Sequence, residues 1–314
     1  MSSMTTISII ITCYKEGLLL RDALQSVAAQ TDADVELVVV NDASSCDATN
    51  RVFGEIVPGE RVKVLRRSKN GGLSAARNDG FRMASGEICM PLDADDVLPV
   101  GAVEAVRQSM RGRPDVDFCF GDYIQYNTDT GERKRVDCSL LADEAGLFFP
   151  KKWVSNVILH GSSPCKRAMW ERVGGYSQEF SYDCQDVDFW MRVTAQGGRG
   201  VYVNQLLYQW NRSSAGMNAN VDHRRVWEVH LVNKRFHVMQ ETWAMICEGF
   251  VDAVLASPGD IKMRVLMRRH GLSLLPVDAD LTARFVRALI KCWVPVGVTQ
   301  GVLAAKQWVR RGKT

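Results

Sequence analysis

The sequence has no ordered cysteine spacing and no N-terminal leader pattern. Its nine cysteines are an odd number, and none of them forms a C-x-x-C pair. Zinc sites and disulfide frameworks both depend on such spacings, so neither is indicated, and a reducing cytoplasm is the expected compartment. The first apolar run, residues 7–11, ends shortly before Lys15 and Glu16. A run this short predicts a buried strand and not a signal peptide.

The C-terminal tail has no apolar run long enough to cross a membrane. Its longest uncharged stretch, residues 292–305, has 14 residues and contains Pro295, whereas a spanning helix needs about 20 apolar residues. Charge is uneven along the chain: residues 261–314 carry eleven Lys and Arg against two Asp, and residues 1–260 carry 28 Lys and Arg against 34 Asp and Glu. The basic tail predicts either an anionic neighbour such as phospholipid headgroups or a solvated helix face.

Within this tail, residues 281–314 combine apolar side chains with Lys and Arg. That combination predicts an interfacial helix pair at the cytoplasmic face of a membrane. Packing against the rest of the chain or against a second subunit is the alternative, so a homodimer also stays open.

Two nucleotide-binding loops are missing as well. No G-x-G-x-x-G follows a predicted strand, which disfavours a dinucleotide-dependent oxidoreductase. No Gly-rich loop with Arg and Lys follows the first strand, which argues against an enzyme that binds a nucleoside triphosphate there. A sugar nucleotidyltransferase of related fold is kept as an alternative.

The first half of the chain alternates strand and helix patterns. Strands are predicted at 7–13, 35–41, 61–66 and 87–92, and helices at 17–30, 46–56, 71–84 and 99–111, the last with Pro99 in its first turn. This alternation predicts a parallel sheet with helices on both faces. In such sheets the ligand lies beyond the carboxyl ends of the strands.

The second half is less regular. Strands are predicted at 117–126, 199–203 and 206–210, and helices after residue 220. We therefore place a domain boundary near residue 220.

Three carboxylates lie within four residues directly after the fourth predicted strand, in Leu92-Asp93-Ala94-Asp95-Asp96. Neighbouring carboxylates repel one another unless a cation neutralises them, and hard oxygen ligands suit Mg²⁺ or Mn²⁺. Mg²⁺ binds one or two protein carboxylates and completes its shell with water and phosphate. The pattern predicts a metal site, and the alternative is a solvated turn in which Asp96 caps the next helix.

Two further charged residues lie near predicted strand ends. Asp42 follows the second strand, where its carboxylate can accept hydrogen bonds from a base or a ribose, and the alternative is a helix N-cap. Arg77 lies in the helix pattern after Gly71–Gly72, where backbone can approach a ligand closely. Because the helix dipole opposes a cation near a helix start, Arg77 predicts an anionic partner. That partner is either the donor nucleotide or a carboxylate such as Asp79 or Asp93.

The fourth candidate is the run 185–192, Gln-Asp-Val-Asp-Phe-Trp-Met-Arg, which is helical in pattern and apolar on one face. An acidic residue at a helix start is held in place by the N–H groups of the first turn. Asp186 would act as a general base if it faces the site, and simple capping of the helix is the alternative.

Together and in this order, these elements resemble family 2 of the glycosyltransferases, which have the GT-A fold and invert the anomeric configuration. The resemblance covers about residues 5–215. It is carried by five segments: Ile7–Lys15, Val40–Ser44, Asn70–Asn78, Leu92–Asp96 and an acceptor-side segment with the two parts Val173–Tyr176 and Gln185–Arg192. Agreement at one such segment arises easily by chance, whereas agreement at five in register does not.

The resemblance implies an α/β protein of GT-A type, with a Rossmann-like, mostly parallel central sheet flanked by helices. Residues 1–220 would form the catalytic domain, with a nucleotide-sugar half at about 1–115 and an acceptor half at about 116–220. Residues 221–314 would form a helical C-terminal extension that ends in the basic amphipathic tail.

The resemblance also implies roles for individual residues. The donor site would comprise Thr12, Tyr14, Asp42, Asn70, Arg77 and Asp93. Within it, Tyr14 and Asp42 would hold the base and ribose of a uridine nucleotide. Asp95 would ligate Mn²⁺ or Mg²⁺, and Asp186 would be the general base that deprotonates the acceptor hydroxyl.

Several positions depart from the family pattern. Thr12 and Lys15 stand where the family usually has Pro and Asn, and Gln185 stands where it has Glu. The segment Tyr208–Ser214 carries no His, although relatives often have one near the metal there. The Q-x-x-R-W signature of processive members is also missing, which favours addition of single sugars.

The resemblance therefore implies transfer of one hexosyl or N-acetylhexosaminyl group from a nucleotide-sugar, expected to be a UDP-sugar. The acceptor would be a glycan or a lipid-linked sugar in cell-surface polysaccharide biosynthesis, and no nucleic-acid partner is expected. Because of the departures, a catalytically inactive nucleotide-sugar-binding protein is an alternative beside the nucleotidyltransferase.

Overall fold

In a computed structural model, the chain divides into two compact units, residues 1–221 and 222–314. The structure describes residues 6–31, 34–149, 161–182, 184–214, 216, 223–239, 243–257, 260–270, 288 and 292. The first unit is an α/β structure, and the described part of the second unit is helical.

In the described part of the chain, the first unit holds one eight-stranded sheet. Its strands are β1 (Ile7–Cys13), β2 (Val35–Asn41), β3 (Val62–Arg66), β4 (Ile88–Asp93), β5 (Phe118–Asn127), β6 (Arg133–Val136), β7 (Cys165–Lys166) and β8 (Gly200–Arg212). They follow the order β3-β2-β1-β4-β7-β5-β6, and β8 pairs with β5. Strands β1 to β4 are parallel to one another, and β8 is parallel to β5. Strand β6 pairs antiparallel with β5, and β7 pairs antiparallel with both β4 and β5. The predicted α/β fold with a central sheet is thereby confirmed.

Six helices of the first unit connect these strands. They are α1 (Leu19–Ala28), α2 (Asp47–Glu55), α3 (Gly72–Met83), α4 (Ala102–Met110), α5 (Arg167–Val173) and α6 (Gln185–Ala195). Helices α1, α2 and α4 are amphipathic and bury an apolar face, for example Leu20 of α1 and Val103 of α4. Most of helix α3 is buried, including the polar residues Arg77 and Asn78.

The sequence of β1 explains its central position. All seven of its side chains are buried, which is typical of a parallel strand covered on both faces. Because β1 lies between β2 and β4, its residue Thr12 pairs with Val40 on one side and with Asp93 on the other. The residues that follow these three strands are therefore brought to one edge of the sheet.

Helix α4 and strand β8 depart most from the elements that the sequence predicts. Helix α4 begins at Ala102, because Gly101 adopts a left-handed conformation with a φ of 86°. Pro99 lies before the helix and accepts a hydrogen bond from Ala102 through its carbonyl oxygen. The strands predicted at 199–203 and 206–210 form the single strand β8, whose pairing with β5 shifts register beside Asp122.

The second unit contains the helices α7 (His223–Val232), α8 (Lys234–Met239), α9 (Trp243–Ala256) and α10 (Ile261–His270). Phe250 and Val254 of α9 pack in a buried apolar cluster with Met263 and Met267 of α10. Among the described helices, none is both long and apolar enough to span a bilayer. The basic tail predicted at 281–314 lies outside the described residues, apart from positions 288 and 292.

Candidate active site

Asp42 is a buried carboxylate that organises the turn before α3. It forms an ion pair with Arg67 and accepts hydrogen bonds from the backbone N–H of Gly71 at 3.0 Å and of Gly72 at 2.8 Å. Gly72 has a φ of +78°, and a Cβ atom there would lie 2.4 Å from the Ser181 hydroxyl. The sequence predicted a ligand or a helix cap at Asp42, and the observed contacts are those of a carboxylate that fixes a neighbouring loop.

The acid loop, Asp93–Asp96, begins at the last residue of β4. Unlike Asp42, its acids are only partly satisfied by donor groups of the protein. Burial and the neighbouring Asp93 and Glu16 carboxylates raise the pKa of Asp95 to about 7. The pKa of the Asp96 carboxyl is also raised, by burial and then by Asp95 and Asp93. Among the described residues, the Asp96 Oδ2 atom has no hydrogen-bond partner. The loop therefore concentrates negative charge that the protein balances only in part.

Asp96 does not cap the following helix. Its Oδ1 atom accepts a hydrogen bond from the backbone N–H of Asn211 in β8 at 2.8 Å, and α4 begins six residues later, at Ala102. The capping alternative considered for Asp96 is therefore wrong, because the loop turns back against β8 before α4 begins.

Arg77 supplies the cation beside the acid loop. It lies on α3 with a side chain only 2% exposed, and its Nη2 atom donates to Asp93 at 2.6 Å. Its Nε and Nη1 atoms have no hydrogen-bond partner in the described part of the chain. Burial lowers the pKa of Arg77, but Asp93, Tyr176 and Asp186 together outweigh it, and the net shift is upward. A buried guanidinium with two unused donor atoms is suited to an anionic ligand.

Asp186 lies close to this guanidinium. It is in the first turn of α6, where its Oδ1 atom accepts a hydrogen bond from the N–H of Val187 at 2.9 Å. A Cβ atom built on Gly161 would lie 3.2 Å from Arg77 Nη1 and 3.3 Å from Asp186 Oδ2. Both side chains therefore pack against the same glycine. Burial raises the pKa of Asp186 while Arg77 lowers it, and the net shift is upward.

The remaining predicted donor-site residues line the same edge of the sheet. Thr12 is buried in β1, and its Oγ1 atom has no partner among the described residues. Tyr14 lies under the Lys15 ammonium at 4.9 Å, and its N–H donates to Glu16 at 2.5 Å. Asn70 is exposed beside Gly72, whose N–H donates to its Oδ1 atom at 3.2 Å. Each of them carries a polar atom where a nucleotide would lie in a doubly wound sheet.

Other motif residues have structural roles. The Asn78 amide donates to the Tyr176 carbonyl at 2.8 Å and accepts from the Tyr176 N–H and the Trp170 indole. Gly175 must lack a side chain, since a Cβ atom there would lie 2.6 Å from Asn78 Oδ1. Asp188 forms a buried ion pair with Arg192 at 2.7 Å. The second acid of the run 185–192 thus stabilises α6 and does not face the site.

Three contributing residues were not singled out by the sequence patterns. Glu16 lies close enough to Asp95 to raise its pKa. Gly161 packs between Arg77 and Asp186, and Asn211 bonds to the acid loop. Asn211 belongs to the segment in which a His was expected. In the described part of the chain, no set of three or more His, Cys, Asp or Glu side chains is arranged to hold a metal.

Comparisons with known proteins identify the family of this chain. Residues 8–173 match the family described as glycosyl transferase family 2. The chain belongs to this family. The matched residues include Asp42, Arg77 and the acid loop but end before Asp186, so the position of Asp186 rests on the geometry described above.

Two curated relatives and one solved structure illustrate the likeness. Glycosyltransferase GlyG of Streptococcus pneumoniae is 27% identical over 40% of this chain, and the match covers 41% of GlyG. An Escherichia coli protein named UDP-Gal:alpha-D-GlcNAc-diphosphoundecaprenol beta-1,3-galactosyltransferase is 25% identical over 60% of this chain and 67% of its own length. The chain thus spans less than half of GlyG.

The solved structure is that of Staphylococcus aureus TarS, residues 1–349, in complex with UDP-GlcNAc. It is 18% identical, with a TM-score of 0.63 over 90% of this chain and 79% of the TarS chain. At this identity the likeness establishes the fold, which is the GT-A fold expected from the sequence.

Proposed function

We propose that this protein is an inverting, metal-dependent glycosyltransferase that moves one sugar from a UDP-sugar to a glycan or lipid-linked acceptor. The observation that carries the proposal is the position of Arg77, which donates to Asp93 and packs with Asp186 against Gly161. This arrangement brings the donor-side acids and the candidate base to one buried cation.

The donor would bind along the edge formed by β1, β2 and β4. TarS has been solved with UDP-GlcNAc and with UDP, and the Escherichia coli relative is named for a UDP-Gal donor; these names support a UDP-sugar here. Tyr14 and Thr12 would contact the nucleoside, with Asn70 at the rim. Asp42 would act through the Gly71–Gly72 turn that it fixes.

The acid loop fits a divalent cation that is shared with the donor. Asp95 would hold Mn²⁺ or Mg²⁺ with Asp93 beside it, and the ion when bound would stabilise the charge that develops on the leaving diphosphate. The upward pKa shift of Asp95, caused by burial and then by the Asp93 and Glu16 carboxylates, supports a cation at this loop. Because the described residues form no complete metal site, the remaining ligands would be water and the diphosphate, as Mg²⁺ commonly requires.

Asp186 would activate the acceptor. Its carboxylate would take the proton of the acceptor hydroxyl while that oxygen attacks the anomeric carbon from the side opposite to the diphosphate. The Arg77 guanidinium beside it lowers the pKa of this carboxyl and so opposes the effect of burial, although the net shift is upward. Attack from the opposite side inverts the configuration at the anomeric carbon.

The biological setting is proposed from the relatives. The Escherichia coli relative is named for a diphosphoundecaprenol-linked acceptor, which supports a lipid-linked acceptor and a role in cell-surface polysaccharide biosynthesis. For the same reason we propose peripheral association with the cytoplasmic face of a membrane through residues 281–314. Co-sedimentation with anionic liposomes, compared between the full chain and a chain ending at residue 280, tests this. Equal binding by both would contradict it.

The activity is tested by following UDP release from a panel of UDP-sugars with Mn²⁺, with and without EDTA. We expect hydrolysis or transfer that requires the metal and falls at least about a hundredfold in Asp186→Asn, the usual scale for loss of a general base. The control is Glu104→Gln, an exposed acid on α4, which should behave as wild type. UDP-sugar binding with no turnover by wild type would instead favour an inactive binding protein.

A further inference from the structure

Asn211 stands in the segment where a histidine was expected, and it makes two hydrogen bonds to the acid loop. Its backbone N–H donates to Asp96 Oδ1 at 2.8 Å. Its side-chain Nδ2 atom donates to the backbone carbonyl oxygen of Asp95 at 2.5 Å. β8 approaches the loop a second time through Gln209, which exchanges backbone hydrogen bonds with Val97 at 2.8 and 3.2 Å.

Both polar atoms of the Asn211 side chain have partners in the protein. Its Oδ1 atom accepts a hydrogen bond from Gln209 Nε2 at 2.8 Å, and its Nδ2 atom is the donor to the Asp95 carbonyl. An amide can ligate a cation only through its oxygen. In this arrangement the nitrogen of the Asn211 amide contacts the backbone of the candidate metal ligand, Asp95.

Arg133 sets the orientation of the side-chain amides of Gln209 and Asn211. Arg133 of β6 donates from Nη1 to Gln209 Oε1 at 2.9 Å, and its guanidinium stacks 4.4 Å from the Tyr126 ring centroid. A guanidinium has no acceptor atom, so the Gln209 amide must turn its oxygen, and not its nitrogen, toward Arg133. Gln209 Nε2 then faces Asn211 Oδ1, and Asn211 Nδ2 then faces Asp95. A donor-only residue thus fixes the direction of every hydrogen bond up to the loop.

The loop needs such support because its own residues repel one another. Asp93, Asp95 and Asp96 lie within one turn, closed by a hydrogen bond from the Asp96 N–H to the Asp93 carbonyl at 3.0 Å. Two hydrogen bonds from a sheet strand hold the two C-terminal acids against that repulsion. The carboxylate of Asp95 is thereby presented from a fixed backbone.

We propose that Arg133, Gln209 and Asn211 form a positioning relay that orients Asp95 for the cation–diphosphate complex. The inference rests on the proposed metal-dependent function, since it assigns a role toward the same ion. It makes Asn211 a positioning residue and Arg133 a distant determinant of metal affinity.

Two near-isosteric substitutions test the relay. Asn211→Asp removes the donor to the Asp95 carbonyl, and Gln209→Glu removes the donor to Asn211 while keeping the acceptor for Arg133. Each adds a negative charge near the acid loop, so simple electrostatics predicts tighter Mn²⁺ binding in both. The relay predicts weaker binding, by about 10- to 100-fold, the usual cost of losing a residue that supports a metal ligand.

The measurement is the Mn²⁺ dissociation constant of the full-length protein in the presence of UDP, from the electron paramagnetic resonance signal of free Mn²⁺. Arg212→Ala, an exposed β8 residue outside the relay, is the control and should bind as wild type does. Thermal unfolding of all variants and their UDP affinity without metal are measured in parallel, and both should stay close to wild type.

Each outcome decides a separate question. Weaker Mn²⁺ binding in both variants, with unchanged metal-free UDP affinity, supports the relay. Equal or tighter Mn²⁺ binding in either variant overturns it. Absence of Mn²⁺ binding to wild type with UDP contradicts the proposed metal-dependent function itself. If Asn211→Asp does not fold, Gln209→Glu and Arg133→Ala carry the test, since both act at a distance from the loop.

Discussion

Two carboxylate sites on the same sheet edge differ in how completely the protein satisfies them. Asp42 is surrounded by donors: the Arg67 guanidinium and the N–H groups of Gly71 and Gly72. Among the described residues, the cation paired with the three acids of the acid loop is Arg77, and the pKa of Asp95 is raised to about 7. The first site is satisfied by groups of the protein, and we expect the second to gain free energy when a cation binds.

This difference separates two roles that look alike in sequence. A satisfied carboxylate such as Asp42 shapes the loop beside it, and its loss should cost stability. We expect a bound cation to relieve the repulsion within the unsatisfied cluster Asp93–Asp96, so loss of an acid there should cost activity and spare stability.

The largest expected effect is that of Asp95→Ala on turnover. We expect a fall of at least about a hundredfold, the scale on which electrostatic stabilisation of a developing charge is lost, with no loss of thermal stability. Initial rates at saturating UDP-sugar and Mn²⁺ measure it, with Asp47→Asn, an exposed acid on α2, as the control. Turnover within a few-fold of wild type would remove Asp95 from its role.

Asp42→Ala should act mainly on stability. It removes the acceptor that the Gly71 and Gly72 N–H groups share with the Arg67 guanidinium, although Arg67 keeps Asp79 at 2.7 Å and the Gly72 N–H keeps Asn70 at 3.2 Å. We expect a loss of about 2 kcal/mol in the free energy of unfolding, measured by chemical denaturation. A stability equal to that of wild type, together with lost donor binding, would instead make Asp42 a direct ligand of the nucleotide.

Gly161→Ala tests the position of the candidate general base, Asp186. The new methyl group would lie 3.2 Å from Arg77 Nη1 and from Asp186 Cβ, so both side chains must move by a few tenths of an ångström. We expect turnover to fall about tenfold, because small displacements of reacting groups are costly. The Michaelis constant for the UDP-sugar should change little. An unchanged turnover would show that Asp186 tolerates displacement and does not act on the acceptor.

The smallest effect is a pH-dependent gain in stability for Asp95→Asn. An acid whose pKa is higher in the folded state than in the unfolded state destabilises the fold as it ionises. The penalty therefore develops above about pH 4 and is complete above about pH 7. Removing it should raise the melting temperature by a few degrees at about pH 8, since about 1 kcal/mol shifts it by a few degrees, and by less at about pH 5. Equal melting temperatures across this range would contradict the repulsion.

Much of the fold could be predicted because its signals are local. The apolar runs of β1 and β2 and the amphipathic pattern of α1 and α2 are properties of short windows. Pairing of β7 with β4 and β5 could not be predicted, since β7 is two residues long and carries no pattern of its own. Pro99 predicts a helix start at residue 99, but α4 begins only at Ala102 because Gly101 adopts a left-handed backbone conformation. The sequence does not reveal that conformation.

Local sequence patterns also predict only part of the site. Asp42, Arg77 and the acid loop follow strands, and their convergence follows from the strand order. Whether a carboxylate is satisfied depends on residues distant in sequence, such as Arg67 for Asp42 or Asn211 for Asp96. Gly161 is a further case, since a lone glycine carries no signal until its neighbours in space are known.

The central claim is that the acid loop binds a diphosphate through a cation, and titration calorimetry of UDP tests it most directly. Wild type should bind UDP more tightly with Mn²⁺ than with EDTA, by at least about tenfold. Asp95→Asn should bind UDP equally in both conditions and about as weakly as wild type with EDTA. Metal-independent UDP binding by wild type, or a full Mn²⁺ effect that persists in Asp95→Asn, would contradict the account.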